Sequence, residues 1–196
     1  MKKINFSDFK NVTFGTDVQI EGEEIIINEG AIIGDNVILI AKKIYIGFDA
    51  VIEKNATIKG LGVAMESFYL GDNTFLGYAN NILAPEFKMM DYSQLHNSGL
   101  HSGYKPLHIG YNCWIGQNSI LNCTEELTLE NNVRIGTQSQ LWTHVASGEL
   151  LEGCTLYGNK PLLLKDNVFI TRAGFPLTVS FSFTSFNTTA PKPTFA

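Results

Sequence analysis

An aliphatic residue that returns every six positions constrains this chain more than any other feature. Ile109-Gly110-Tyr111-Asn112-Cys113-Trp114 is followed by Ile115-Gly116-Gln117-Asn118-Ser119-Ile120 and then Leu121. After a short slip the pattern resumes as Leu129-Glu130-Asn131-Asn132-Val133-Arg134, Ile135-Gly136-Thr137-Gln138-Ser139-Gln140 and Leu141. Glycine often follows the aliphatic residue, and a small residue stands four places after it. Neither the 3.6-residue period of a helix nor the two-residue period of a strand generates this spacing. A short fixed repeat is the mark of a solenoid.

If each hexad is one short strand and one corner, three hexads close a triangular coil. The aliphatic residues then point into the prism, and the small residue faces inward near a corner, where a bulky side chain would not fit. Gly, Asn and Asp suit the corner positions because they tolerate backbone angles that other residues avoid. Each coil pairs its strands in parallel with the next, about 4.8 Å away, and depends on its neighbours for stability.

The run resembles the hexapeptide repeat of the left-handed parallel β-helix acyltransferases, which include many sugar and antibiotic acetyltransferases. The resemblance covers roughly residues 33–170. It implies an all-β, left-handed parallel β-helix. The hand comes from the resemblance alone, because spacing does not set it and parallel sheets in general favour right-handed crossovers.

The hexads begin at Ile33-Gly34-Asp35-Asn36-Val37 and Leu39 and continue through Ile46, Ile52, Ile58, Leu70, Leu76 and Ile82. Before them, Val18-Gln19-Ile20 and Glu24-Ile25-Ile26-Ile27 read as strands, with Gly22 and Gly30 as turns. From residue 84 to 107 the period disappears, which reads as a long insertion holding His96 and His101 and ending beside His108. A second break spans residues 142–163, after which Leu164, Val168 and Ile170 restore the pattern. Loops of this length inside a compact domain are usually functional. Each break closes alike, with Gly103-Tyr104-Lys105-Pro106-Leu107 and Gly158-Asn159-Lys160-Pro161-Leu162.

The organisation expected is therefore one domain over residues 1–170, with loops at 84–107 and 142–163, and an atypical tail over 171–196. In the tail the hexad positions are taken by Thr171, Gly174 and Pro176, and Lys192 is the only charge after Ala173. Val179-Ser180-Phe181-Ser182-Phe183 alternates like one strand. A divergent cap, a truncated or frame-shifted end and an artefactual end all produce such a tail.

A net charge of −5 and a pI of about 5.3 give nucleic acid no electrostatic footing. No apolar run reaches membrane-spanning length, and Met1-Lys2-Lys3 leads into Ile4-Asn5-Phe6-Ser7-Asp8, which is no signal-peptide core. Cys113, Cys123 and Cys154 show no metal-type pairing. Cys113 takes a small inward slot and reads as a buried structural thiol. A cytoplasmic location is the default.

His144 leads the candidates for chemistry. Many sugar acetyltransferases of the resembled family carry Thr-His where this chain has Thr143-His144, and close the following loop with a motif like Tyr157-Gly158-Asn159-Lys160-Pro161. By that resemblance His144 is the general base. It takes the proton of an acceptor hydroxyl or amine as that group attacks the thioester carbonyl of acetyl-CoA, a task suited to an imidazole pKa near neutrality. His96, in Asp91-Tyr92-Ser93-Gln94-Leu95-His96, resembles the base of another branch of the family and is its rival. Asp91, Asn80 and Asn81 would orient the base or hold the acceptor, and Trp142 would stack on a sugar ring or on part of CoA. The family also implies a homotrimer with active sites between subunits, for which the outward Trp114 is an interface residue. The acceptor expected is a sugar, nucleotide sugar or similar small molecule, and no metal is expected.

Two further readings compete. His96, His101 and His144 superficially resemble the zinc-binding histidines of γ-class carbonic anhydrases, which share the fold. A non-catalytic scaffold that has lost its CoA groove would also show hexads followed by a degenerate tail.

Overall fold

The computed structural model describes residues 2–149 and 154–171. They form a triangular parallel β-helix whose three faces are sheets of eight, eight and seven strands. The chain visits the faces in strict rotation. The first face carries Thr13–Phe14, Ile32–Ile33, Val51–Ile52, Phe75–Leu76, Gln94–Leu95, Trp114–Ile115, Arg134–Ile135 and Phe169–Ile170. Lys2–Lys3 at the edge, then Gln19–Gly22, Ile38–Ile40, Thr57–Lys59, Asn81–Leu83, Leu100–Ser102, Ile120–Asn122 and Gln140–Leu141 make up the second. The third runs from Glu24–Ile27 through Lys43–Ile46, Ser67–Leu70, Glu86–Met89, Leu107–Ile109 and Leu127–Leu129 to Leu162–Leu164.

The aliphatic hexad positions do what the spacing requires. Ile33, Leu39, Ile46, Ile52, Ile58, Leu70, Leu76 and Ile82 are wholly buried and form one continuous core with Ile115, Leu121 and Ile135. The small position four residues later is also inward, as Ala31, Ala50, Ala56, Ser93, Ser119 and Cys113 show. Where that residue carries a hydroxyl, the hydroxyl bonds to backbone within the corner, as Ser119 Oγ does to the Gly116 carbonyl at 2.7 Å. Burial pushes the Cys113 thiol up, and the Cys123 thiol up to about 11, so both are inert structural thiols.

Two of the three corners turn on a residue with positive φ, three positions after the inward aliphatic one. Asn36, Asn55, Asn73, Asn112, Asn118, Asn132 and Asn167 hold φ between 51° and 63° there. Asparagine is favoured because its short side chain tolerates the left-handed region and bonds locally. Asn36 and Asn112 also donate to Asn55 and Asn132 of the next coil, at 3.2 and 2.9 Å. The residue just before caps the neighbouring coil: Asp35, Asp72 and Asn131 accept backbone N–H bonds from Thr16, Phe48 and Tyr111 at 2.7–3.0 Å. The Thr16 bonds hold the Asp35 carboxyl below its ordinary pKa. Glycine follows the aliphatic residue because coils meet closely there. A Cβ on Gly34 would lie 2.6 Å from Lys54 N, and one on Gly116 2.5 Å from Thr137 N.

One expectation is overturned. Residues 84–107 are no insertion but a further coil, with strands at Glu86–Met89, Gln94–Leu95 and Leu100–Ser102 in register with the coils on either side. Met89, Leu95 and His101 fill the inward positions, and Ser93 and Gly99 the small ones. Met and His hide the repeat from a search for branched aliphatics followed by glycine. The repeat also starts earlier than Ile33, because Thr13–Phe14 already pairs with Ile32–Ile33.

The second break is a genuine insertion. His144–Glu149 and Cys154–Asn159 pair antiparallel as a hairpin at the corner between second and third faces. At the opposite end of the prism, Lys2–Lys3 pairs antiparallel with Glu21–Gly22, and Phe6 and Phe9 pack on Phe14 at ring-centroid distances of 4.5 and 6.1 Å. These contacts cover the first coil, which would otherwise offer an unpaired edge. The tail beyond residue 171, with the strand expected at Val179–Phe183, lies outside the described residues.

His101 is the one imidazole inside the prism, between Ile82 below and Leu121 above. Its Nε2 faces Asn80 Oδ1 at 3.4 Å, its Nδ1 has no partner, and Gly99 clears the space it needs. Burial lowers its pKa to about 3. A neutral buried histidine contributes fully above its unfolded pKa of about 6.5 and loses stability progressively as pH falls from there toward the folded value. His101→Leu matches the leucine above it and removes this loss. Urea unfolding at pH 7 and pH 4.5 is expected to show a smaller acid-induced drop in stability for His101→Leu than for the wild-type chain.

Candidate functional site

The best-organised polar cluster on the prism surface lies at the base of the hairpin. Leu121 pairs with Leu141 across neighbouring coils, so Asn122, just past Leu121, lies one coil below Trp142 and Thr143. The chain turns outward at His144, whose hairpin partner is Asn159. Thr143 Oγ1 accepts the Glu125 N–H at 2.9 Å and lies 3.1 Å from both oxygens of Asn122. Lys160 N–H donates to the Thr143 carbonyl at 2.9 Å, and Asn159 donates from its side chain to the Glu125 carboxylate. The hairpin therefore leaves the prism through a closed set of hydrogen bonds.

His144 Nδ1 lies 3.0 Å from Asn122 Oδ1. The identity of that oxygen follows from Thr124, whose backbone N–H, a donor only, meets the same atom at 3.1 Å. An oxygen there obliges His144 Nδ1 to be the donor, so in the neutral ring the lone pair sits on Nε2. The indole of Trp142 stands edge-on to the imidazole, with centroids 5.5 Å apart and an interplanar angle of 78°, and donates to Gln140 Oε1 at 3.1 Å. Trp142 is about half exposed. An imidazole whose Nδ1 is held as a donor, beside an exposed aromatic ring, is a candidate to take a proton from a small bound molecule through Nε2.

The remaining sequence-derived residues lie elsewhere. His96 is on the outer surface of the first face, tilted between Phe75 and Trp114 at centroid distances of 5.7 and 4.9 Å, with Nε2 3.2 Å from Gln94 Oε1. Burial there lowers its pKa, partly opposed by Glu53. Asp91 is a corner residue whose carboxylate accepts the Asp72 N–H at 3.0 Å. Asn80 is buried in the small inward slot, donating to Gly77 and His96 carbonyls and accepting from Gly99 N–H. Asn81 is exposed on the second face, about 14 Å along the axis from Gln140 at 4.8 Å per coil. Of the residues singled out from the sequence, His144 and Trp142 meet; His96, Asp91, Asn80 and Asn81 do not join them.

The three histidines of the zinc reading are also separated. His101 points into the prism, His96 outward from the first face, and His144 sits at a corner. Among the described residues, no group of three or more His, Cys, Asp or Glu converges on a metal site. Asn122 and Glu125 are the site residues that sequence reading missed. Asn122 stands in a column with Lys59, Leu83 and Ser102, and it is the only asparagine of that column, directly beneath Thr143-His144. Neither a protein-family model nor a curated protein matches this sequence.

The tautomer is measurable. Long-range ¹⁵N–¹H correlation of the neutral His144 ring is expected to show the proton on Nδ1. Asn122→Ala is expected to shift it toward Nε2, the tautomer that an unconstrained imidazole prefers.

Proposed function

We propose that this chain is an acyltransferase that moves an acetyl group from acetyl-CoA to a hydroxyl or amine of a sugar-like acceptor, with His144 as general base. The observation that carries the reading is the Asn122–His144 contact, which assigns the proton to Nδ1 and the basic lone pair to Nε2 of an imidazole next to Trp142. The hexapeptide pattern and the triangular prism support it, since the acyltransferases resembled are built this way, left-handed and trimeric. In this reading the apolar and aromatic outer residues of the first face, Ile32, Phe75 and Trp114, meet a second copy of the chain.

The chemistry follows from the site. The acceptor oxygen or nitrogen attacks the thioester carbon while His144 Nε2 takes its proton. Collapse of the tetrahedral intermediate expels the CoA thiolate, which recovers the proton from His144. Trp142 supplies an apolar surface for the C–H face of a sugar ring, and Glu125 and Asn159 supply polar contacts at the hairpin base.

Acetyl-CoA at a hundred times its dissociation constant is expected to stabilise the folded chain by about 2.7 kcal/mol, read as a dose-dependent rise in melting temperature. His144→Ala is expected to lower turnover by about 10²–10⁴-fold, with His96→Ala within a few-fold of the wild-type chain. No thermal shift in a well-folded protein would instead favour a scaffold without a CoA groove.

A further inference from the structure

Asn122 differs from every other buried amide described here in how its two ends are used. Three groups converge on Oδ1: Thr124 N–H at 3.1 Å, Thr143 Oγ1 at 3.1 Å and His144 Nδ1 at 3.0 Å. These contacts fix both the rotamer and the flip state of the amide. Its Nδ2 has no acceptor among the described residues. The side chain is nevertheless deep-set, with the residue only 8% exposed. Among the described residues, the only fully enclosed side-chain nitrogen or oxygen without a partner is His101 Nδ1, so Asn122 Nδ2 opens toward solvent.

Asn80 is the useful contrast. It is wholly buried, and its Nδ2 donates to Gly77 and His96 carbonyls at 2.7 and 2.9 Å while its Oδ1 accepts Gly99 N–H at 2.9 Å. Both ends of Asn80 serve the corner. Asn122 has one end saturated and a donor end left open, next to a base whose tautomer it sets. A donor that reaches solvent at the end of a deep-set side chain is open to an acceptor on a bound molecule. A rigidly held, partly desolvated N–H beside a base is also the arrangement that best stabilises developing negative charge, since it needs no reorganisation during the reaction.

We infer that the Asn122 Nδ2 amide is the oxyanion donor of this site, binding the thioester carbonyl oxygen as it becomes negative. The inference rests on the acyl-transfer reading given above. As the acceptor attacks, the new C–O or C–N bond forms, the proton passes to His144 Nε2 and the carbonyl electron pair moves onto oxygen, where Asn122 Nδ2–H donates to it. When the oxyanion collapses, the C–S bond breaks and the CoA thiolate leaves with the proton from His144. Asn122 thus acts at both ends, orienting the base through Oδ1 and stabilising the intermediate through Nδ2.

Asn122→Asp separates the two roles, because a carboxylate still accepts from Thr124, Thr143 and His144 but has no N–H. Thiol release from acetyl-CoA is followed with a panel of p-nitrophenyl hexosides and aminohexosides as acceptors. The expected result is a fall in kcat of about 10²–10³-fold, with KM for acetyl-CoA within a few-fold and a melting temperature near that of the wild-type chain. Asn122→Asp retaining at least a third of wild-type kcat overturns the donor role and leaves Asn122 a positioning residue. A second measurement needs no variant: the dithioester analogue of acetyl-CoA carries a sulfur that accepts hydrogen bonds poorly. The wild-type chain is expected to favour acetyl-CoA over the analogue by at least tenfold beyond their uncatalysed ratio, and an equal ratio contradicts the inference. If the wild-type chain neither releases thiol with any acceptor nor shifts its melting temperature with acetyl-CoA, the acyl-transfer reading fails, and this inference with it.

Discussion

Backbone hydrogen bonds between successive coils are the interaction on which everything else in this structure depends. Along one edge of the first face, Ile32 N–H donates to Ala50, Val51 to Thr74, Phe75 to Ser93, Gln94 to Cys113, Trp114 to Val133 and Arg134 to Val168, all at 2.8–3.0 Å. Each coil has nowhere else to satisfy these groups, so none is stable alone and the coils hold together as a nearest-neighbour stack. Side chains then need only fit the interior and let the corners turn. Met89 and His101 can therefore replace branched aliphatics without breaking the register, and Ala79, Tyr92, Ser98 and Gln138 can hold corner φ values of 55–61° that asparagine holds elsewhere.

Regularity of this kind also explains where function can be built. Polar side chains placed inward are committed to the corners, as Asn80 and the hydroxyls of Ser93 and Ser119 are. Outward residues on a flat face meet their own strand and the coils above and below, as His96 does with Gln94, Phe75 and Trp114. A site with several converging groups needs a departure from the repeat. The hairpin is that departure: where it leaves the prism, Asn122, Thr143, His144, Glu125 and Asn159 come within bonding distance of one another.

Much of the fold was legible because the hexad is a direct record of the prism. The aliphatic, small and asparagine positions each correspond to one place in a coil. The reading failed at residues 84–107 because it followed residue types instead of positions. Counting on in sixes from the inward Ile82 lands on Lys88, because the corner at Ala84-Pro85 shifts the count, but counting from Met89 would have recovered Leu95 and His101. The candidate site was legible only in part. Thr143-His144 stood out by its resemblance to known acetyltransferases, and Trp142 by its position. Asn122 carried no signal of its own, because its role depends on the next coil bringing Thr143 and His144 over it. Such a contact is set by stacking and not by proximity in sequence. Asp91 and Asn81 looked like site residues because their places on the prism, a corner and the second face, were hidden by the supposed loop.

Residues 86–102 form a coil of the prism, hydrogen-bonded to its neighbours on both sides. Native-state amide hydrogen exchange tests it directly and independently of any activity. The inter-coil donors Gln94, His96 and Leu100 are expected to exchange as slowly as Trp114, Gly116 and Ile120 of the following coil. Rapid exchange at Gln94, His96 and Leu100 with protection retained at Trp114, Gly116 and Ile120 would show an inserted loop, and would contradict the continuous prism described here.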